Sequence, residues 1–291
     1  MARRARQRVA LVAAAAASLV MPPARPAGAQ AGTDTDRVPP GLRARNLAAN
    51  AAIGAAVSGV RAAVRRRPVA PALARGLAGG VALGAGKQLA ARRFGGAGAV
   101  GRLVTAAGVA AVYTAPGDSL AAFLPVGPVT VELRPGARDR VRPRVNGWTT
   151  AVLLVALFDA NSRLDAGASL DAGAVVFRRR SGAMPWGGGE LGFAFPGVVF
   201  VSDRAEDAAR RRLVVAHEAV HVQQWDAYHA TVTRDPERAL VGRVPGGARV
   251  LRWLEPDVLA PLSVWAVAEW VPYARQPWER EAFWLSGQRP P

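Results

Sequence analysis

The chain has 291 residues, a formal net charge of +17 at pH 7 and no cysteine. Its length can bury the core of one large domain or two modest ones. Without cysteine, disulfides and thiolate metal sites are excluded, so a transition metal would have to be bound by histidine and carboxylate side chains. The arginines are spread along the chain without an aromatic–basic platform or a nucleic-acid-binding motif, so no nucleic-acid partner is predicted. The charge favours contact with an acidic envelope surface.

The first 29 residues have the pattern of a secretory signal peptide. Four arginines between Arg3 and Arg8 precede an apolar run, Val9–Met21, which is too short to span a bilayer. The small-residue stretch PAGAQA follows, so cleavage is predicted after Ala29 or Ala31. We therefore expect export to the periplasm, the cell envelope or the medium. An uncleaved N-terminal anchor is the alternative.

Residues 30–125 are predicted to form a linker over Gly32–Arg43 and then an Ala/Gly-rich helical region. The helical segments of this region are Asn46–Arg66, Pro71–Arg93 and Val100–Ala115. The second contains Gly76, Gly80 and Gly84, and this four-residue spacing lets helix backbones approach closely. Because its apolar runs are shorter than the roughly 20 residues needed to span a bilayer, a compact subdomain is favoured over a membrane-inserted hairpin.

A β-rich middle follows, with predicted strands at Pro128–Leu133, Ala174–Phe177 and Leu191–Ser202, the last bent or split at Pro196-Gly197. The continuous apolar run Trp148–Phe158 fits either a buried strand or a buried helix, because periodicity does not separate the two. Asp203 and Glu206 have the spacing of a capping box, which predicts that the next helix begins there.

That helix carries the main chemical motif, LVVAHEAVHVQQ over Leu213–Gln224. It holds His217 and His221, two of the three histidines in the chain, with Glu218 directly after the first. Residues four apart lie on one face of a helix, so both imidazoles can bind one zinc ion. Glu218 can then act on a water molecule at that ion.

A catalytic zinc site needs a third protein ligand. A third histidine at the metzincin spacing is excluded, because Ala227 occupies that position. His229 points about 80° away from the ligand face of the helix, which makes it a poor ligand. The remaining candidates are Glu279 and Glu281 in QPWEREAFWL. Two residues apart on a helix, they diverge by about 200°, so one should bind the ion and the other should face solvent or an arginine and tolerate alanine.

The segments VVFVSD, RLVVAHEAVHVQQWDAY and PWEREA resemble the gluzincin class of zinc peptidases, in particular bacterial H-E-x-x-H domains of unknown function. The resemblance covers about Gly192–Tyr228 and Gln276–Leu285. It implies a zincin-like fold, Glu279 as third ligand through the E-x-x-A pattern, and a strand before the histidine helix that holds extended substrate. Phe283 comes directly after this pattern, at a position where gluzincins often have Asp or Ser. The resemblance therefore implies no side chain that would hydrogen-bond a zinc-binding histidine from outside the metal site.

The sequence thus predicts an α+β protein with a signal peptide (1–29), a linker and helical region (30–125), and a β-rich, zincin-like domain (126–291). The expected activity is zinc-dependent hydrolysis of a peptide or protein, with Glu218 as general base. Tyr228, nearly in line with both histidines, is the predicted oxyanion donor, and Tyr273 and His229 are alternatives. The competing hypothesis is a non-catalytic envelope or membrane-associated protein with a structural zinc site. In that hypothesis Val258–Val271 is an interfacial anchor and not a core helix under the zinc.

Export gives the first testable prediction. Protein recovered from a bacterial periplasm or medium should begin at Gln30 or Gly32, because the A-x-A site is cut during export. Mass spectrometry of the intact protein measures this N-terminus. A soluble cytoplasmic product that retains Met1 would contradict the prediction.

Overall fold

The computed structural model describes residues 39–92, 95–114, 122–136, 140–180, 191–205, 207–268 and 270–288. The predicted signal peptide and Glu206 lie outside these residues. The described part is a mixed α+β protein, as expected. Its first elements are three helices, α1 (Pro40–Val64), α2 (Val69–Ala90) and α3 (Ala97–Tyr113). The following elements are β1 (Ala122–Val126), β2 (Val129–Leu133), β3 (Val141–Asn146), α4 (Gly147–Phe158), β4 (Ser162–Leu164), α5 (Ala166–Ala172), β5 (Val175–Arg179), β6 (Gly192–Phe195), β7 (Val198–Ser202), α6 (Ala208–Tyr228), α7 (Arg234–Val241), α8 (Gly247–Val250), β8 (Leu254–Glu255), α9 (Leu259–Ala268) and α10 (Pro277–Ser286).

The three N-terminal helices pack through glycine, as the spacing in α2 predicts. A Cβ atom at Gly80 would overlap the backbone of Asn50 and Ala51, so α1 and α2 are in direct backbone contact there. A second glycine face of α2, which includes Gly86, lies against α3 at Gly101. The predicted linker was wrong at its C-terminal end, because α1 already begins at Pro40, where proline is favoured in the first helical turn.

By length and composition alone, α1 and α2 could each cross a membrane. In the structure they pack against each other, and α2 also contacts α3 and α6. The contacts with α1 and α3 use the glycine faces, and the side chains of Leu73 and Leu77 in α2 remain exposed.

Two four-stranded mixed sheets form the β-rich part. The first has the order β1-β2-β3-β8 with β3 parallel to β8, and the second has the order β4-β5-β7-β6 with β5 parallel to β7. The predicted strands are confirmed, and Leu191–Ser202 is a strand pair with its turn at Pro196-Gly197. Gly197 has φ = 72°, which glycine adopts without strain. Among the described strands, β6 lies at an edge of its sheet.

The two long apolar runs are both helices, and each is only partly covered. Trp148–Phe158 forms α4, whose Val152 and Leu153 pack against the phenylalanines of the second sheet, while Phe158 is exposed. The run Val258–Val271 contains α9, in which Ala260 is the buried residue. The expectation of a core helix was therefore wrong, because the α9 surface is largely open to solvent.

Helix α6 lies at the centre of the described structure. Its apolar side chains, among them Val215 and Val222, pack against Val199 and Val201 of the second sheet, and α2, α3 and α10 contact its other sides. The predicted cap was wrong, because Asp207 caps the helix through a 2.6 Å hydrogen bond from the Arg210 backbone N–H. Beyond Tyr228 the helix continues as a π-helical segment, His229–Thr233.

The glycine contact between α1 and α2 predicts a steric effect on stability. Gly80→Ala should lower the unfolding free energy by about 1–3 kcal/mol, because a methyl group there displaces the Asn50 backbone. Gly41→Ala is the matched control, since Gly41 also lies in this helix pair but a Cβ atom there would meet no described atom within 4 Å. Thermal unfolding measures both variants, and equal melting temperatures would contradict the close packing.

Candidate metal centre

Two histidines and one glutamate converge between α6 and α10. His217 and His221 lie one turn apart on α6, and their Nε2 atoms are 3.0 Å from each other. Glu279, in the first turn of α10, places Oε2 at 3.3 Å from Nε2 of His221 and 3.4 Å from Nε2 of His217. All three side chains are buried. The structure thus brings together the two histidines and one of the two glutamates that the sequence offers as ligands.

The spacing of these donor atoms fits one metal ion. Ligands of a tetrahedral zinc ion, with bonds of about 2.0–2.1 Å, lie about 3.3 Å from one another. The three observed separations, 3.0, 3.3 and 3.4 Å, are close to that value. Two imidazoles and a carboxylate are also donors that transition metals such as zinc prefer. The group can therefore hold a metal ion with little rearrangement.

The orientation of His221 is set by a glutamine one turn further along α6. The side-chain amide nitrogen of Gln224 donates to the Trp278 carbonyl at 3.0 Å and to Oε2 of Glu281 at 2.7 Å. Its oxygen must then face Nδ1 of His221, 2.7 Å away. Because this oxygen can only accept, Nδ1 of His221 carries a hydrogen and Nε2 is the nitrogen left to bind metal.

His217 is held differently. Its ring packs against Phe283 with centroids 4.6 Å apart, and its Nδ1 has no hydrogen-bond partner among the described residues. Burial lowers the pKa of His217, so this ring is neutral near pH 7 and its nitrogen is available as a ligand.

Protonation of the centre without metal follows from the same contacts. Burial would raise the pKa of Glu279, but the charge of His221 and hydrogen bonds from both imidazoles and from Tyr273 lower it well below its usual range. Burial would likewise lower the pKa of His221, but Glu279 and Glu218 raise it to about 9. Without metal, the centre therefore holds one proton at neutral pH, between a carboxylate and an imidazole.

Glu218 lies beside the centre, against the edge strand of the second sheet. A Cβ atom at position 192 would overlap the Glu218 carboxylate and the side chain of Val214. Gly192 therefore provides the space in which the carboxylate lies. Glu218 is buried and close enough to His221 to raise its pKa, although it is not one of the three candidate metal ligands.

Two tyrosines are candidate oxyanion donors, and the structure separates them. The hydroxyl of Tyr228 lies 3.1 Å from Oγ of Ser263 in α9, and the residue is about 10 Å along the helix axis from His221. Tyr273 instead donates a hydrogen bond to Glu279. The geometry therefore favours Tyr273 over the predicted Tyr228, because Tyr273 is the one of the two with a described contact to a candidate metal ligand.

Glu281, the other candidate ligand, and His229, the other candidate oxyanion donor, both lie outside the centre. Glu281 points away from the imidazoles and pairs with Lys87 at 3.0 Å, and its side chain is only 13% exposed. The expectation that it faces solvent or an arginine was therefore wrong, since a lysine is its charged partner.

His229 has its Nδ1 2.8 Å from Oδ1 of Asp257 in a separate ion network that also contains Glu255. Burial opposes its charge, but Asp257 and Glu255 raise the pKa of His229.

The supporting residues Gln224, Gly192 and Lys87 were not identified from the sequence. Gln224 had a usable signal, because it follows His221 by three residues and therefore lies near it on the helix. Lys87 also had one, as the chain's single lysine within a mostly apolar helix. Gly192 had none, because its contact with Glu218 depends on how the strand crosses the helix.

The proton between the Glu279 carboxylate and the His221 imidazole predicts how metal affinity depends on pH. A metal ion must displace the proton on His221, so affinity should rise by up to about tenfold per pH unit until the pKa of about 9 is passed. His217 is already neutral near pH 7, so one proton and not two should be released. Zinc titration against a chelator of known affinity, at several values between about pH 7 and 9, measures this slope. An affinity independent of pH would contradict the proposed protonation.

No protein-family model, curated protein or solved structure matched this chain. The candidate centre consists of a histidine pair on one helix and a converging glutamate from a second helix, and the adjacent Glu218 lies outside this group.

Proposed function

We propose that this protein is an exported zinc peptidase of the gluzincin type. The observation that carries the proposal is the convergence of His217, His221 and Glu279 at zinc-ligand spacing, with Glu218 directly beside them. A structural zinc site would be satisfied by four protein ligands, whereas catalytic sites keep a position open for water. Among the described residues three side chains form this group, which supports the catalytic type.

The proposed chemistry requires a general base next to the attacking water. When bound, zinc polarises a carbonyl and lowers the pKa of a water molecule towards neutrality. Glu218 would accept a proton from the attacking water and later deliver it to the leaving amine. Its burial between α6 and Gly192 supports this role, because a carboxylate excluded from bulk water keeps a fixed direction.

Strand β6 is the proposed site for extended substrate. It pairs with β7 on one side, and the Leu191 carbonyl accepts from the Ser202 N–H within that pair. The alternation of an antiparallel pair directs the backbone groups of Gly192 and Ala194 to the other side. The Ala194 carbonyl already accepts from the Trp225 indole at 3.1 Å, so the backbone of Gly192, next to Glu218, is the proposed contact for a peptide.

Tyr273 is the proposed donor to the oxyanion. Its hydroxyl already donates to Glu279, at the edge of the centre, and the residue is 47% exposed. A hydroxyl close to the ligands, on a residue that is partly open to solvent, can redirect its hydrogen bond towards a substrate carbonyl oxygen. Stabilisation of the developing negative charge at this oxygen accelerates attack.

The second candidate function is a non-catalytic, membrane-associated protein with a structural metal site. It is favoured by the surface of α9 and the turn beyond it, where Trp265 and Trp270 are 61% and 87% exposed and no charged residue lies between Leu259 and Ala268. Tryptophan on such a surface is typical of contact with a bilayer interface. This candidate predicts metal-loaded protein that sediments with lipid vesicles and hydrolyses no peptide.

Hydrolysis of casein or of a peptide library by the purified mature protein tests the proposal. Activity should be abolished by a zinc chelator and restored by added zinc. Glu218→Gln should retain one zinc per chain but lose about 100- to 10,000-fold in rate, because proton transfer is removed while the three ligands stay. Zinc-loaded wild-type protein without hydrolytic activity would favour the structural candidate. Parallel loss of zinc and activity in Glu218→Gln would show that this glutamate has a structural role.

The two tyrosines offer a matched pair of variants. Tyr273→Phe should lower kcat by about 100-fold or more, because one donor to the oxyanion is lost. Tyr228→Phe removes the same atom from a hydroxyl that contacts Ser263, so kcat should stay within about twofold. Steady-state kinetics with zinc content measured on each variant distinguishes them. Equal effects of the two substitutions would contradict the assignment of Tyr273.

A further inference from the structure

The second glutamate of α10 is the most heavily hydrogen-bonded carboxylate near the centre among the described residues. Glu281 accepts from Nζ of Lys87 at 3.0 and 3.1 Å and from the side-chain amides of Asn46 at 2.5 Å and Asn50 at 3.1 Å. Lys87 also donates to Oδ1 of Asn50 at 2.9 Å. Three residues from the first two helices therefore converge on one largely buried carboxylate. Nothing in the chemistry proposed above uses this cluster.

The cluster is connected to the metal centre by one side chain. Oε2 of Glu281 also accepts from the Gln224 amide nitrogen at 2.7 Å. The oxygen of the same amide accepts from Nδ1 of His221 at 2.7 Å. A continuous chain of hydrogen bonds thus runs from Lys87 through Glu281 and Gln224 to a metal-binding imidazole.

The direction of this chain depends on the carboxylate being an acceptor. Because the Glu281 carboxylate accepts, the NH2 group of Gln224 must face it and the amide oxygen must face His221. The Trp278 carbonyl also accepts from this NH2 group at 3.0 Å, so loss of the carboxylate removes one of its two acceptors and lets the amide turn more easily. The NH2 group would then face Nδ1 of His221 and favour the tautomer whose hydrogen is on Nε2, the nitrogen that should bind metal.

We propose that Lys87 and Glu281 are positioning residues for the metal centre, acting through Gln224 to fix the tautomer and direction of His221. This inference rests on the metal binding in the proposed function but not on peptidase activity. Lys87 supplies the counter-charge that a carboxylate in this largely buried position requires. The Ala/Gly-rich helices then help to orient His221, because they carry the residues that hold Glu281 in place.

Glycine packing explains how these helices reach the centre. Gly80 brings the α2 backbone against the Asn50 carbonyl, and Gly84 lies against Leu47 and Asn46. The two asparagines of α1 are therefore next to the face of α2 that carries Lys87. Larger residues at these glycines would separate the asparagines from the lysine.

Zinc affinity of purified full-length mature protein tests the proposal, measured by competition with a chelator of known affinity. Lys87→Met should weaken zinc binding, up to the about 10- to 100-fold that loss of a direct outer partner of a ligating histidine costs, because Lys87 acts through Glu281 and Gln224. The matched control is Arg102→Met, which breaks another largely buried ion pair between an N-terminal helix and the centre's surroundings. Arg102 lies 2.7 Å from Asp226, and both partners are about as buried as Lys87 and Glu281. Its zinc affinity should stay within about twofold of wild type, because Asp226 has no hydrogen bond to the described ligands.

Equal losses of zinc affinity in Lys87→Met and Arg102→Met would overturn the proposal, since they would reflect general destabilisation. If Lys87→Met does not fold, the double variant Lys87→Met/Glu281→Met replaces it, because removal of both charges leaves no unpaired ion at this position. That variant should fold and still bind zinc about 10- to 100-fold more weakly. Wild-type affinity in the double variant would overturn the proposal.

The tautomer provides a second readout that a purely structural role would not change. With three histidines in the chain, two-bond ¹H–¹⁵N spectra of zinc-loaded protein contain few imidazole signals. In wild-type protein His221 should show a hydrogen on Nδ1 and metal on Nε2, whereas in Lys87→Met/Glu281→Met a larger share of the His221 signal should show a hydrogen on Nε2. The same tautomer in both proteins, or failure of the wild-type protein to bind zinc, would overturn the relay, whereas a lack of peptide hydrolysis alone would overturn only the proposed peptidase.

Discussion

The buried carboxylate of Glu279 is the constraint on which the centre depends. An ionised carboxylate taken out of water costs several kcal/mol unless a positive charge and hydrogen-bond donors accompany it. Here two imidazole nitrogens, 3.0 Å apart, face it at 3.3 and 3.4 Å. The lone pairs of the two imidazole nitrogens and the charge of the carboxylate repel one another at this distance unless a cation lies among them. That cation is either a proton or a metal ion. The centre is therefore arranged around a positive charge, and competition between a proton and a bound metal ion would set its behaviour with pH.

Two glutamates, two residues apart on α10, obtain different roles from their surroundings. Glu279 faces the imidazoles of α6, whereas Glu281 faces Lys87 and the asparagines of α1. Helix geometry requires this divergence, because positions two apart differ by about 200°. As a result, one short helix joins the histidine helix to the glycine-packed helices. No catalytic residue was predicted in the N-terminal region. Through Lys87 and the asparagines, this region nevertheless contacts Glu281, which in turn hydrogen-bonds the Gln224 side chain that orients His221.

The sequence could predict those features that depend on local spacing. Residues four apart face one side of a helix, so the shared face of His217 and His221 followed directly, and alternation located the strands. The all-apolar run Trp148–Phe158 carried no period, so its helical state could not be predicted. Spacing on an ideal helix selects Tyr228, whereas Tyr273 reaches Glu279 through tertiary packing that spacing does not encode. The cap was misplaced for a similar reason, since Asp203 and Asp207 are both suitable residues and the path of the chain selects the second.

The central claim is that one zinc ion binds to two imidazoles and the Glu279 carboxylate. X-ray absorption at the zinc edge, on stoichiometrically loaded mature protein, tests it most directly. The account predicts four nitrogen or oxygen ligands at about 2.0–2.1 Å with the outer-shell scattering of two imidazole rings. Glu279→Ala should retain both imidazole contributions but bind zinc more weakly. A spectrum without imidazole scattering, or a protein that retains no zinc after dialysis, would contradict the account.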